Sequence, residues 1–283
     1  MKTCNKTINI LVTLDSNYVG PLTVMLFSLL RSNPFEKFDV YVAHSSLKEA
    51  DFIRIRSVAD SSKCNIIPLH IDEKLLCNAP VLKRITKETY YRLIAADYLP
   101  QEVKRILYID PDTVVINSLR SLYDTDLGEN LIMGSTHTGR FLEGVCRKRL
   151  NMTHGSKYVN AGVLLMNVEG IRQTVKTEDI FKYIDNNAKK LYLADQDVIN
   201  ALFCERTIIV DACVFNLDEK TFKRFKNEID NNWIDRNTVI VHFNGKYKPW
   251  KDGYKGVLKC FFDRETAIMK KTTNVMLATK MAG

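Results

Sequence analysis

Residues 107–116, "LYIDPDTVVI", place two carboxylates two positions apart inside an apolar run. Leu107, Tyr108 and Ile109 read as the end of a buried strand, and Val114, Val115 and Ile116 resume the apolar pattern. In an extended chain residues i and i+2 point to the same side, so Asp110 and Asp112 face together. Two unpaired carboxylates on one side repel, and burying them is costly. A divalent cation removes that cost. Hard oxygen ligands suit Mg²⁺ or Mn²⁺, ions that commonly bridge to phosphates. The competing reading is a plain turn, because Asp-Pro-Asp-Thr is good turn chemistry.

Upstream of this run, apolar β-rich stretches alternate with helical spacing. "INILVTL" (8–14), "FDVYVAHS" (38–45), "NIIPLHI" (65–71) and "VKRILYID" (103–110) read as strands, with Pro68 confining the third to an edge or a bulge. Helices are predicted over about 19–31, over "LKEADFIRIRSVAD" (47–60) and over "KETYYRLIAADYL" (87–99), the last stopped by Pro100. The alternation predicts an α/β fold, a central, mostly parallel sheet with helices on both faces. The carboxyl end of a central strand is where open α/β sheets bind ligands, and Asp110 falls there. Downstream, "LIMGSTH" (131–137), "YVNAGVLLMNV" (158–168), "TIIVDACVF" (207–215) and "TVIVHFN" (238–244) read as further strands. "DQDVINALF" (195–203) opens a helix with Asp195 as its cap. From Asp252 the chain turns helical and basic, so 1–250 is read as the catalytic domain and 251–283 as a C-terminal basic helical segment.

With 283 residues, 46% of them hydrophobic, the chain can bury a sizeable core. No apolar run reaches the roughly 18 residues of a membrane span. The start, "MKTCNKTINILVTL", reads as a first strand and not a signal peptide. Seven scattered cysteines without a Cys-x-x-Cys pair argue against a zinc site or a disulfide framework, and for reduced thiols in a cytoplasm. A net charge of +8 favours anionic partners such as nucleotides. With no Lys/Arg-rich block or aromatic-interleaved basic motif, nucleic acid is not expected.

Three further stretches carry polar groups at element ends. In "VTLDSNYVGPLTVMLFSL" (12–29), Asn17 could bond a base edge and Tyr18 stack on its face, while helix capping by Asp15 or Ser16 explains the stretch equally well. In "YVNAGVLLMNV" and "LADQDVINALF", Asn160, Ala161 and Gly162 interrupt a strand where a ligand could approach. Asp195, Gln196 and Asp197 offer carboxylates and an amide, and Asp197 could instead complement the helix dipole. In "VHFNGKYKPW" (241–250), His242 ends a strand, Gly245 permits a tight turn, and Lys248 could neutralise a departing phosphate.

The Asp-x-Asp pair resembles the first motif of haloacid dehalogenase-type phosphatases. It also resembles the cation-holding motif of sugar-nucleotide glycosyltransferases. Three strand–helix units precede it, and no later phosphatase-type Lys plus acidic cluster appears, which favours the second. Taken in order, "TLDSNY", "TYYRLIAADYLP", "RILYIDPDTVV", "NAGVLLMN", "DQDVIN" and "HFNGKYKPW" resemble the family 8 retaining glycosyltransferases, from Ile8 to about Trp250. That family includes bacterial lipopolysaccharide galactosyltransferases and glucosyltransferases, the general stress protein A group and glycogenin.

The resemblance implies a GT-A fold, with a Rossmann-like nucleotide-binding half, and transfer of galactose or glucose from a UDP-sugar donor to a bacterial glycan or glycolipid acceptor. It implies that Asp110, Asp112 and His242 ligate Mn²⁺, with Mg²⁺ as the other candidate. Asp15, Asn17 and Tyr18 would hold uridine, with Thr13 and Pro111 also at the donor site. Arg92 would meet the sugar or diphosphate. Asn160, Ala161, Gly162, Asp195 and Gln196 would hold the sugar, and Gly245 and Lys248 the diphosphate. Gln196, Asp195 and Lys248 are the implied catalytic residues, with Asp197 in support. Ser16 departs from the acidic residue found after the first uridine-loop aspartate in the lipopolysaccharide galactosyltransferases. Residues 134–150 fall where the family's acceptor loops lie. The alternatives are a phosphatase using Asp110 and Asp112, and a non-catalytic sugar-nucleotide-binding protein. The basic C-terminal segment could dock on the inner face of a plasma membrane or pack its apolar face on the catalytic domain, and periodicity does not separate the two.

Overall fold

A computed structural model describes residues 7–76, 79 and 87–282, with the side chains at 73, 87–89 and 274–282 outside that description. Residues 1–6 with Cys4, Cys77, Gly283 and the Lys280 side chain therefore lie outside the described residues. The strands are β1 (Ile8–Thr13), β2 (Phe38–His44), β3 (Cys64–His70), β4 (Arg105–Ile109), β5 (Thr113–Val115), β6 (Ile132–Ser135), β7 (Val163–Asn167), β8 (Thr207–Val210) and β9 (Ile240–His242). Seven of them form one sheet in the order β3-β2-β1-β4-β7-β6-β8, and β5 and β9 pair as a separate ribbon. β3-β2-β1-β4 is parallel throughout, as is β6-β8. β7 runs antiparallel to both β4 and β6, so the sheet is mixed but mostly parallel. β3 is an edge strand, where Pro68 costs no ladder hydrogen bond.

The period of two in "RILYI" divides the core. Ile106 and Tyr108 join the apolar cluster containing Tyr90, Ile171 and Val198, from the helices Lys87–Leu93, Val168–Thr174 and Ala194–Phe203. Leu107 and Ile109 join the cluster containing Leu22 and Phe52, from the helices Val19–Ser32 and Glu49–Arg56. Helices thus cover both faces, as the alternation predicts.

Several boundaries differ from the sequence reading. The helix expected over 87–99 breaks at Ile94 into Lys87–Leu93 and Ala95–Tyr98. In 158–168 the strand starts at Val163, and 158–162 is loop. In 207–215 it stops at Val210, because the Asp211 side chain accepts from Cys213 N and caps a short helix, Ala212–Phe215. The Ala194–Phe203 helix has Leu193 at its N-cap, so Asp195 is not the cap.

A third apolar cluster lies under the β5–β9 ribbon. Val114, Val241 and Phe243 pack there with Leu258, Phe261 and Phe262. The last two begin the helix Lys259–Ala282. Glu265, fully buried, pairs with Arg31 at 2.6 Å and ties that helix to Val19–Ser32. The apolar start of the C-terminal segment is therefore core, and among the described residues no helix is long and apolar enough to cross a membrane. Cys64, Cys146, Cys204, Cys213 and Cys260 are free thiols.

Candidate active site

At the end of β4 the chain leaves the main sheet for the ribbon. Asp110 N donates to Gly162 O at 2.8 Å, extending the β4–β7 ladder one step past Ile109. Thr113 Oγ1 donates to Asp110 O at 3.0 Å and closes a turn. Phe243 N donates to Asp112 O at 2.9 Å, and Thr113 lies opposite His242 in the ribbon. Asp-Pro-Asp-Thr is therefore a turn, and that turn presents both carboxylates to His242. His242 Nε2 lies 3.3 Å from Asp112 Oδ1 and 3.6 Å from Asp110 Oδ2. One ligand atom from each of the three residues falls within 4.8 Å of the others.

The tautomer of His242 follows from its other nitrogen. Nδ1 donates to Asn216 Oδ1 at 2.9 Å, which leaves the Nε2 lone pair aimed at the carboxylates. Nε2 is buried without a hydrogen-bond partner. A Cβ at Gly162 would come within 2.2 Å of His242 Cε1 and 2.6 Å of Asp110 Oδ2, so a bare backbone keeps this space open. An orphaned imidazole nitrogen, two carboxylates and a cleared cradle fit a divalent cation. Burial opposes the charge on Asp112, but His242 and Lys248 outweigh it and hold the carboxyl down at about 2. Burial likewise opposes charge on His242, and the Asp112 and Asp110 carboxylates outweigh it and raise the imidazole above its usual value. Lys248 Nζ donates to Asp112 Oδ2 at 2.5 Å and to Phe243 O at 2.9 Å.

Arg92 organises the opposite side. Its guanidinium contacts Asp110 Oδ1 at 3.0 Å and Ala161 O at 3.0 Å, and sits over the Tyr108 ring, 4.4 Å from its centroid. Nε lies 2.7 Å from Asp195 Oδ2 as an ion pair, although the N–H does not aim at that oxygen well enough to hydrogen-bond. Burial pushes the Asp195 carboxyl up, against the pull of Arg92. Tyr108 Oη donates to Asp110 Oδ1 at 2.6 Å and meets Thr13 Oγ1 at 3.1 Å. Thr13 is buried behind Tyr108 and supports Asp110 at one remove.

Asn160 and Gln196 interlock beside this cluster. Gln196 Oε1 accepts from Asn160 Nδ2 at 3.1 Å and from Ala161 N at 3.2 Å, while Asn160 Oδ1 accepts from Gly162 N at 3.0 Å. Asp195 and Gln196 follow Ala194, whose φ of +48° is strained for a residue with a Cβ. A pocket of about 290 Å³ joins the whole set. Asp110, Asp112, His242 and Lys248 line one part, Arg92, Asn160, Ala161, Gly162, Asp195 and Gln196 another, and Leu193 and Asn244 complete the lining.

The remaining candidates lie around the pocket, outside its lining. Asp15 accepts from Asn17 N at 2.9 Å and from Asn17 Nδ2 at 3.1 Å, so the capping reading of that stretch holds. Ser16 and Asn17 are exposed. Tyr18 stacks edge-on against Trp250, ring centroids 5.9 Å apart. Burial raises its hydroxyl pKa, with Lys248, Asp112 and Asp110 close enough to act on it. Pro111 is buried in the turn. Gly245 needs no glycine, since its φ is not left-handed and an added Cβ would meet nothing nearer than Tyr247 O at 4.0 Å. Asp197 faces inward, fully buried. It accepts from Arg149 at 2.7 and 2.9 Å, from Tyr158 Oη at 2.6 Å, and from Tyr192 N and Leu193 N at 2.7 and 2.9 Å, holding the loop that leads into the helix of Asp195.

Asn216, His137, Asp218 and Asn244 also border this cluster and are not among the residues expected from the sequence. Asn216 Nδ2 donates to Asn160 Oδ1 at 3.0 Å while its Oδ1 accepts from His242, so one amide spans both parts of the pocket. His137 Nε2 donates to Asn216 O at 2.6 Å, and Asn244 Nδ2 donates to His137 Nδ1 and to Asp218 Oδ2, both at 3.0 Å. The one signal for them was Asn244, two residues past His242.

The model for Glycosyl transferase family 8 matches residues 9–253. The lipopolysaccharide 1,3-galactosyltransferase of Salmonella typhimurium is 29% identical over 247 residues, covering 86% of this chain and 72% of that protein. General stress protein A of Bacillus subtilis is 28% identical over 250 residues, covering 85% and 86%. The lipopolysaccharide 1,2-glucosyltransferase of Escherichia coli is 27% identical over 258 residues, covering 87% and 74%. Among solved structures, the galactosyltransferase LgtC in complex with donor and acceptor sugar analogues superposes with a TM-score of 0.79 at 24% identity, covering 92% of this chain and 95% of that one. The sheet built around β4 is thus the GT-A fold, and with its family model running from β1 past Trp250 the chain belongs to glycosyl transferase family 8.

Proposed function

We propose that this glycosyltransferase moves a hexose, galactose or glucose, from a UDP-sugar to a bacterial glycan or glycolipid, with retention at the anomeric carbon. One observation carries the reading. A cation-ready triad and an amine (Asp110, Asp112, His242 and Lys248) share a single pocket with an amide and carboxylate cluster (Asn160, Asp195 and Gln196). The first end suits a diphosphate and the second a sugar. The lipopolysaccharide-directed names of two relatives support the acceptor class. The phosphatase alternative falls with the family.

Mn²⁺, or Mg²⁺, held by Asp110, Asp112 and His242 would supply Lewis-acid neutralisation of the departing diphosphate. Lys248 adds counter-charge from the chain itself, exchanging its contact with Asp112 for phosphate oxygens. Arg92 holds Asp110 and Asp195 in register across the pocket. Asp15, Asn17 and Tyr18 receive the uridine. Gln196, its carbonyl oxygen fixed by Asn160 and Ala161, stabilises positive charge at the anomeric carbon. An amide is a poor nucleophile, so the acceptor hydroxyl attacks on the face the phosphate leaves, and that phosphate takes the hydroxyl proton. The enzyme acts in the cytoplasm, at the inner face of the plasma membrane where its acceptor is a glycolipid.

A thermal-shift panel of UDP-sugars with Mn²⁺ tests the donor, since ligands that bind the folded state raise its apparent stability. Equal shifts with UDP-sugars, other nucleotide sugars and buffer would sink the assignment. Gln196→Ala should lower turnover far more than UDP affinity, because the charge it meets develops in the transition state. Lost UDP binding with unchanged turnover per bound donor would overturn that role. Tight donor binding by the wild type with no transfer and no hydrolysis would favour the non-catalytic alternative.

A further inference from the structure

Helix Arg140–Leu150 is held to the body of the protein by Glu143, Cys146 and Leu150, which are buried. Its outer side carries apolar side chains among basic ones. Phe141 is 88% exposed, and Leu142 and Val145 are exposed beside it. Phe141, Val145 and Arg149 recur at i, i+4 and i+8 and form one stripe. The Arg149 guanidinium lies over the Tyr192 ring, 4.6 Å from its centroid, and leads the stripe onto Tyr192 and Leu193, both exposed. Leu193 is also part of the donor-pocket lining. Exposed apolar side chains therefore lie on both sides of Arg149, on the helix and at Tyr192 and Leu193 beside the pocket.

That run is flanked by positive charge. Arg140 and Lys148 are exposed on the helix, and Lys189 and Lys190 are exposed just before Tyr192. The helix's single carboxylate, Glu143, is buried and answered by Lys157 at 3.2 Å and Arg147 at 3.4 Å. Exposed apolar side chains among unbalanced cations are the pattern of a helix lying in an anionic lipid interface. The geometry points to helix Arg140–Leu150, with Tyr192 and Leu193, as the surface that docks this enzyme on an anionic lipid bilayer and brings a membrane-borne acceptor to the pocket rim. The C-terminal helix is not that element at its start, where Phe261 and Phe262 are buried in the core. The inference rests on the glycolipid reading of the acceptor.

The test uses the full chain, co-sedimented with phosphatidylglycerol-rich vesicles and with phosphatidylcholine vesicles. UDP-hexose hydrolysis in vesicle-free solution is followed in parallel. The wild type should bind the anionic vesicles preferentially. The Phe141→Ser/Val145→Ser variant should lose about tenfold or more of that binding while hydrolysing donor as the wild type does. Arg140→Glu/Lys148→Glu should lose the preference for anionic lipid. Failure of the wild type to bind, equal binding to both vesicles, or undiminished binding by the serine variant would overturn the proposal. Absent hydrolysis with vesicle binding intact would instead overturn the donor reading and leave the docking surface standing.

Discussion

Asn216→Ala should weaken the metal site without touching a metal ligand. The Asn216 amide accepts from His242 Nδ1 at 2.9 Å and donates to Asn160 Oδ1 at 3.0 Å. Truncation leaves the His242 Nδ1–H buried without an acceptor, at a cost of about 1–3 kcal/mol. Outer-shell partners of a metal-binding histidine typically carry about 10–100-fold in metal affinity, or about 1.4–2.7 kcal/mol. The first figure is a loss of folded-state stability and the second a loss of metal affinity, so the two are read by separate measurements. Asn160 keeps its bond to Gly162 N, so the sugar side should relax less. Free Mn²⁺ read by electron paramagnetic resonance gives the affinity, and urea unfolding in chelator gives the stability. Asn216→Asp is the companion variant. It still accepts from His242 and should retain Mn²⁺, but it sets a carboxylate against Asn160 Oδ1 and should impair turnover. An Mn²⁺ affinity of Asn216→Ala within about threefold of wild type would mean that Asn216 does not orient His242 toward a cation, since outer-shell loss is expected to exceed that.

Gly162→Ala should abolish Mn²⁺ binding, because its Cβ would fall 2.2 Å from His242 Cε1 and 2.6 Å from Asp110 Oδ2; calorimetric titration reads it, and retained affinity would contradict the cradle. Asp197→Ala removes one partner of a buried ion pair with Arg149 and should cost about 3–5 kcal/mol in chemical denaturation, with donor binding falling as the loop before Asp195 loosens. In chelator, His242 with its raised pKa contributes stability fully present below its unfolded value of about 6.5 and lost as pH rises through the folded value. Asp112 contributes stability present above about 3.9, its unfolded value, and lost as pH falls through the folded value near 2. With metal, the His242 term reverses: the cation must displace a proton, so Mn²⁺ affinity should fall as pH drops below the raised histidine pKa, and a flat pH profile of binding would contradict this.

The sheet was legible because its signals are local. "RILYI" alternates toward two cores, and Pro68 marks an edge. The carboxylate pair was legible for the same reason, as charge at the end of a buried run. What failed were readings that needed a partner far along the chain. Asp195 reads as a cap, but Arg92, more than a hundred positions earlier, takes its carboxylate, and the helix begins one residue before it. Asp197 does sit in the first turn of its helix, but its partners Arg149 and Tyr158, far along the chain, were not legible. "TIIVDACVF" looks like one strand because nothing apolar distinguishes a short buried helix from a strand, and Asp211 is the sole break. Asn216, between His242 and Asn160, had no signal at all, since an asparagine after an apolar run most often marks a turn. The destination of Phe261 and Phe262 depended on the β5–β9 ribbon, which does not exist until the Asp110–Thr113 turn forms.

In the proposed function, the pocket joining Asp110, Asp112 and His242 to Asn160 and Gln196 breaks a UDP–hexose bond with the help of a divalent cation. UDP release from UDP-galactose and UDP-glucose, followed with Mn²⁺ and then with excess chelator, tests it most directly in the wild type and in Asp112→Asn. Release from one or both donors is expected with Mn²⁺, disappearing in chelator and recovering when Mn²⁺ is added back, with no release by Asp112→Asn at any Mn²⁺ concentration. Full release in excess chelator, or by Asp112→Asn, would contradict it.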